Sequence, residues 1–246
     1  MDKKNIYAMI PARLGSTRLK MKNLALINNE PMIKYSIDAA KGSNVFDKIF
    51  VNSDSVIFSK IANRYSVNFY QRDIELGSSI TKSDEVVHDF FKSHSEADIL
   101  VWVNSIAPFQ TADEISSVVN YFLKHDLDSL ITVVKSQVHC DFKNHPVNYK
   151  IDEVFAQTQD LEPVYPFSYS LMMWKRESFL ENFQKNGHAL MGGVFSTYPV
   201  SKLSGMIIKY EEDLLLADAI MRYMISNSRD SVKYDNLVSN INTEID

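Results

Sequence analysis

The chain has 246 residues, 45% of them hydrophobic and 23% charged, and 26 Lys+Arg against 31 Asp+Glu leave a net charge of −5. Those values fit one large folded domain. Seven Gly and seven Pro exclude a low-complexity or collagen-like chain, a single cysteine excludes a disulfide framework, and the acidic balance speaks against a nonspecific grip on nucleic acid.

In chain order, Ile6–Ile10 is a short apolar run ending at Pro11 and reads as a buried strand. Pro31–Ala40 has helical spacing, with Pro31 suited to a first turn. Strands are expected at 48–52, 67–70, 98–103 and 129–134, with helices between them at 56–65, 84–91 and 112–123. This alternation predicts an α/β fold with a mostly parallel sheet flanked by helices, its strands buried on both faces. After Ser136 the pattern breaks, and prolines and aromatics predict a smaller excursion over 137–205 within one domain, 1–246. The α/β pattern returns at Leu171–Trp174, with a helix from Glu177 and a last helix from Glu211 to about Ser226. Acids in the first turn of that last helix suit its dipole.

The N-terminal apolar run is too short for a signal peptide, and no stretch approaches the roughly 20 uncharged apolar residues of a membrane span. With one cysteine, Cys140, the expectation is a cytoplasmic protein without membrane insertion or nucleic-acid partner.

In parallel α/β sheets, ligands bind beyond the carboxyl ends of the strands. The loop after the first strand, 11–24, carries Arg13, Arg18, Lys20 and Lys22 together with Ser16, Thr17 and Gly15. Cations and hydroxyls at this position suit a triphosphate, and Gly15 would permit tight curvature. The loop lacks the ending of a Walker motif and the three glycines of a dinucleotide fingerprint. His139, Cys140, Asp141 and His145 do not have zinc-finger spacing and read as a solvated loop. Tyr165, Phe167, Tyr169 and Trp174 suit either ring stacking on a ligand or a core or subunit contact.

Ile10-Pro11-Ala12-Arg13-Leu14-Gly15-Ser16-Thr17-Arg18, followed by Lys22-Asn23-Leu24 and Pro31-Met32-Ile33, resembles the opening of the sugar-acid cytidylyltransferases. That family includes the acylneuraminate cytidylyltransferases and, more distantly, the CMP-KDO synthetases. Similarity continues at Val51-Asn52-Ser53-Asp54 and Arg72-Asp73-Ile74-Glu75-Leu76. It continues again at 157–165 and at Glu211-Glu212-Asp213-Leu214.

The resemblance implies a Rossmann-like nucleotidyltransferase that joins CTP to a sugar acid, giving CMP-sugar and pyrophosphate for surface polysaccharide or glycoconjugate synthesis. It implies Arg13, Arg18 and Lys22 as the catalytic cations. Ser16, Asn23, Ser53, Asp54, Arg72 and Ser78 would join them around the nucleotide. Asn104, Gln159 and Tyr165 would lie on the sugar side, with a nonulosonic, sialic-type acid favoured. It further implies Mg²⁺ and a homodimer formed through the middle region.

Three segments depart from the pattern. Asn104-Ser105-Ile106-Ala107-Pro108-Phe109-Gln110 keeps only the proline of the family's Gln-Pro-Thr-Ser-Pro-Leu-Arg loop. Leu76-Gly77-Ser78-Ser79-Ile80 lacks the carboxylate of Leu-Ala-Ser-Asp-Thr. Ile207 and Lys209 stand where Asp-Ile-Asp-Thr-Glu would supply metal ligands, and an ammonium ligates nothing. Three readings stay open here. Lys209 supplies charge in place of metal; the chain is a non-catalytic or weakly active binding relative; or Glu211, Glu212 or Asp213 holds the ion.

Overall fold

The computed structural model describes residues 3–16, 18–226 and 235, so Thr17 of the cationic loop lies outside the described residues. Its first strand, β1 (Ile6–Ala12), alternates strictly: Ile6, Ala8, Ile10 and Ala12 enter one apolar cluster while Tyr7 and Met9 enter another on the opposite face. Both faces of this strand must therefore be covered.

After β1 come two short strands, β2 (Leu26–Ile27) and β3 (Glu30–Pro31), paired as a hairpin that leads into helix α1 (Met32–Ser43). Pro31 sits one residue before that helix with φ −62°, and Asn44 ends it in the left-handed region. The α/β pairs follow as β4 (Lys48–Ser53), α2 (Ile57–Arg64), β5 (Asn68–Gln71), α3 (Ser83–Ser93), β6 (Ile99–Val103), α4 (Ala112–Lys124) and β7 (Ser129–Val134). The chain then forms a small hairpin, β8 (Asp141–Phe142) with β9 (His145–Pro146), turning through Lys143 and Asn144 at positive φ. Last come β10 (Phe167–Lys175), α5 (Arg176–Asn186), β11 (Phe195–Val200) and α6 (Glu211–Ser226).

Seven strands form the central sheet in the order β11-β7-β10-β6-β1-β4-β5. All run parallel except β10, which pairs antiparallel with both β6 and β7. Residues of α1, α2 and α4 pack one face of the sheet and those of α3 and α5 the other. Trp174, fully buried on the second face, donates its indole N–H to the Leu190 carbonyl at 3.0 Å. Burial of each such large side chain contributes about 1.5–3 kcal/mol. Helix α6 belongs to a third cluster, with Ala217 and Met221 beside Ile27, Phe109 and Ile208.

The elements expected through Val134 are all present. The excursion is narrower than 137–205, because β10 and β11 lie inside the main sheet. What leaves the sheet is 137–166, tied back by a bridge between Ser136 and Val164. Strand β11 escapes a periodicity reading because it is a partly exposed edge strand with Pro199 inside it, and edges tolerate proline. The turn before it needs glycine at 193, with φ +66° and Asp128 only 2.4 Å from where a Cβ would sit. No helix among the described residues is long and apolar enough to cross a membrane.

Candidate active site

The order of the strands sets the location. From β1 the chain moves outward to β4 and β5, then crosses back to place β6 on the other side of β1. That reversal opens a crevice beyond the carboxyl ends of the strands. A cleft of about 260 Å³ lies there, lined by Pro11–Arg13 after β1, Arg72 after β5, and Trp102 with Asn104–Ile106 at the end of β6. Lys22, Asn23 and Ser78 complete its wall.

Buried hydrogen bonds hold these loops. The Asn23 side chain is 2% exposed; its amide donates to the Arg13 carbonyl at 3.1 Å and its oxygen accepts from the Ser105 hydroxyl at 2.9 Å. The Ser105 oxygen also sits within hydrogen-bonding reach of the Pro11 carbonyl, so its single proton is shared between Asn23 and the β1 end, reached from the β6 loop. Asn23 thus fixes the cationic loop and does not face the cleft as a free amide. The turn that delivers Lys22 begins at Met21 with φ 48° and continues as a 3₁₀ turn over Lys22–Leu24. Gly15 has no positive φ, and a Cβ added there meets nothing within 4 Å, so the curvature expected of it falls instead at Met21.

Arg13 bridges two loops. Its Nη1 donates to the carbonyls of Gly77 (3.2 Å) and Ser78 (2.9 Å), which fastens the 74–81 segment across the cleft. Gly77 is required there: a Cβ would lie 2.4 Å from the Asp54 carboxylate. Asp54 in turn sits 3.5 Å from Nη2 of Arg72.

Arg72 is 5% exposed. Its guanidinium donates to the carbonyl and side-chain oxygens of Asn52 and to the Ala12 carbonyl, at 2.9–3.2 Å. It therefore clamps the carboxyl ends of β1 and β4 together from beneath the cleft. Burial pulls its pKa below the ordinary arginine value, with the Asp54 charge opposing. Ser53 is fully buried, and its hydroxyl accepts from the Ser55 amide, so it shapes the strand end and lies away from the cleft wall.

Four cations converge. Burial first, and then the positive charges of Arg18, Arg13 and Lys209, together lower the Lys22 pKa to about 8. Arg18 lies over the Tyr210 ring, 5.5 Å from its centroid. Among the described residues none of these four is ion-paired with a carboxylate. Ser16 sits half-buried in the same loop, outside the cleft wall.

The segment before α6 is anchored to this wall. The Ile208 amide donates to the Ile106 carbonyl at 2.9 Å, and Ile208 is fully buried. One carboxylate oxygen of Asp213 accepts the backbone N–H groups of both Lys209 (2.8 Å) and Tyr210 (2.9 Å). Asp213 therefore caps the helix start. Glu211 and Glu212 are exposed on the first turn. Neither Ile207 nor Lys209 can ligate a cation, and among the described residues no group of three or more His, Cys, Asp and Glu side chains gathers as a metal site. The side chains at 207 and 209 therefore do not fit a Mg²⁺ ion held at those two positions.

On the sugar side, Asn104 lines the cleft and donates to the Tyr169 carbonyl at 3.0 Å. Tyr169 takes φ 56° inside a bulge of β10, and Asn104 locks that bulge to the β6 loop. Gln159 and Tyr165 are exposed on the 137–166 excursion and do not line this chain's cleft. His139 stacks on Phe155, with centroids 4.0 Å apart.

The sequence reading missed three participants: Ser105, which latches two loops; Tyr210, which carries Arg18; and Trp102, whose buried indole nitrogen has no hydrogen-bond partner beside the cleft. Their only sequence signal is position, at or just after a strand end or just before a helix.

Residues 7–186 match the model of the cytidylyltransferase family. An N-acylneuraminate cytidylyltransferase of Streptococcus agalactiae is 29% identical over 180 residues, which span 70% of this chain and 44% of that protein. The chain thus spans less than half the length of that relative. The post-translational flagellin modification protein B of Campylobacter coli is 30% identical over 197 residues, 74% of this chain and 83% of that protein. Among solved structures, a CMP:2-keto-3-deoxy-manno-octonic acid synthetase complexed with CTP superposes with a TM-score of 0.69 at 13% identity, covering 89% of this chain and 99% of that one. A 4-diphosphocytidyl-2C-methyl-D-erythritol synthase from Anaerococcus prevotii gives 0.62 at 15% identity, with coverages of 89% and 96%. These two show a shared fold, and the family match together with the sequence relatives carries the assignment: this chain belongs to the cytidylyltransferase family.

Proposed function

We propose that this chain transfers a cytidylyl group from CTP to a sugar acid. The observation that carries the reading is the pair Arg13 and Lys22 in the cleft wall at the sheet's switch point, with the exposed Arg18 outside the wall but close enough to act on Lys22, all three free of carboxylate partners among the described residues of a cytidylyltransferase chain. An oxygen of the sugar acid's anomeric hydroxyl attacks the α-phosphorus. A new P–O bond forms, the bond to the β-phosphate oxygen breaks, its electrons leave with pyrophosphate, and the hydroxyl proton passes to water. Alignment and charge neutralisation supply most of the rate in such a step. Arg13, Arg18 and Lys22 neutralise the phosphates, while Asn23, Ser105 and Arg72 hold the loops that present them.

A nine-carbon nonulosonic acid is the favoured acceptor, because the similarity at 157–165 and the N-acylneuraminate relatives point the same way. Gln159 and Tyr165, placed off this chain's cleft, reach a sugar in a homodimer in which the excursion of one copy covers the cleft of the other. The reaction belongs in the cytoplasm, where the single free thiol stays reduced.

The test is pyrophosphate release from CTP with a panel of nine-carbon and eight-carbon sugar acids. Turnover with a nine-carbon acid, reduced at least ~100-fold by Arg18→Ala, is expected. Turnover only with the eight-carbon acid would assign a KDO-type synthetase instead. CTP binding without turnover on any acid would make the chain a binding relative, a reading that Ile207 and Lys209 favour.

A further inference from the structure

Three features of the site stand together. Arg13, Arg18 and Lys209 each act electrostatically on Lys22, yet none of the four has a carboxylate partner among the described residues. The segment carrying Lys209 is tied to the outside of the cleft wall: Ile208 bonds to Ile106, a residue of that wall, and Asp213 fixes the backbone of the exposed Lys209 and Tyr210 at its rim. Tyr210 in turn supports Arg18 from below. The 207–213 segment therefore brings one cation of its own and positions a second.

Mutual repulsion among four unpaired cations costs stability unless an anion answers it. A fully ionised nucleoside triphosphate carries about four negative charges, since its terminal phosphate titrates near pH 6. The protein's cations match that charge in number without help from a metal. A carboxylate at 207 or 209 would change the balance, because it would need a bound dication before it could face phosphate.

Building on the cytidylyl-transfer reading, we infer that Lys209 is a fourth triphosphate-binding cation, held in place by Asp213, and that this chain binds its nucleotide without a divalent ion held by the protein. Lys209 is then a binding residue, and Asp213 and Tyr210 are positioning residues.

Calorimetric titration with CTP and with inorganic tripolyphosphate tests this, each in excess chelator and again in Mg²⁺. Wild type is expected to bind both ligands in chelator within about fivefold of its affinity in Mg²⁺. Lys209→Ala should lose roughly tenfold in chelator, the size of one charge-assisted contact, and Lys209→Arg should recover most of it. Lys209→Asp should bind poorly in chelator and regain affinity in Mg²⁺. Lys124→Ala, at the far end of α4, should match wild type. Thermal melts within 2 °C of wild type establish that each variant is folded.

The inference is overturned if wild type loses about a hundredfold or more in chelator, or if Lys209→Ala binds tripolyphosphate as wild type does. The nucleotide reading fails separately: tripolyphosphate binding that depends on Lys209, with CTP no better than UTP or ATP, would sink cytidylyl transfer and leave the cation site standing. No binding of either ligand in either medium overturns both.

Discussion

The cleft and the 137–166 excursion are built on opposite principles. At the cleft the charged and polar groups are fixed from below: Arg72 grips three oxygens, Asn23 and Ser105 lock two loops, and Asp213 ties down the segment bearing Lys209. In the excursion most large apolar groups point outward, with Val154 94% and Phe155 75% exposed, while Leu161 turns inward and is buried. A cation set needs rigid support because repulsion would otherwise spread it. An exposed apolar patch needs no support in its own chain, and its stabilisation comes from whatever covers it. Under the proposed function, the nucleotide half of the site would be complete in one chain, while the sugar half would be covered by a second copy.

The largest expected effect strikes the support beneath the cleft. Arg72→Ala removes the clamp and leaves the Asp54 carboxylate without its cation. Loss of one partner of a buried pair costs about 3–5 kcal/mol. Urea unfolding measures this directly, and a loss below about 1 kcal/mol would show that the clamp is ornamental and that the two regions are held alike.

A smaller effect has the opposite sign. Unfolded Lys22 titrates at 10.5, and in the folded protein burial and its cationic neighbours lower it to about 8. Between those pH values the unfolded chain binds the more protons, so the stability of the unliganded protein rises with pH across that window. At pH 7 both states carry the charge and the folded state bears the full penalty. Lys22→Met should then stabilise the unliganded protein by about 1–2 kcal/mol once solvent screening is allowed for, a rise of roughly 2–6 °C in Tm. The same variant should lose CTP, and wild-type affinity should fall as pH rises from 7 to 9.5, because triphosphate binds the protonated amine. A Tm that drops for Lys22→Met, or a CTP affinity flat across that range, would remove the idea that the cleft is strained until an anion arrives.

The smallest effect on the chain itself belongs to the excursion. Val154→Glu with Phe155→Glu should cost no more than about 1 kcal/mol, the stack of Phe155 on His139 being the main loss. CTP affinity should stay at the wild-type value. Sedimentation should show dissociation of the proposed homodimer, and the KM for the proposed sugar-acid substrate should rise. A dimer that survives both charges would place the subunit contact elsewhere and leave the contrast between the two regions without its functional meaning.

Much of this molecule follows from sequence because its early strands are buried on both faces. Such strands read as uninterrupted apolar runs, and the helices between them carry one apolar stripe, so 6–12, 48–53, 99–103 and 129–134 announce themselves. Arg13, Arg18 and Lys22 were legible as a cation cluster at the carboxyl end of the sheet because the loop after the first strand of such a sheet has a known place in space. Pairing alone decided that β10 runs against its neighbours and that β11 joins the sheet, since neither direction nor edge membership leaves a periodic trace. Only the folded chain brings Lys209 to Lys22, gives Arg72 to strand-end oxygens, and turns Asp213 onto backbone amides. Electrostatic and hydrogen-bond partners so distant in sequence are chosen by packing. The sequence by itself determined which charges the chain owns and which loop carries most of them; the tertiary structure decided which charges share a cleft, because repulsion and burial act through space.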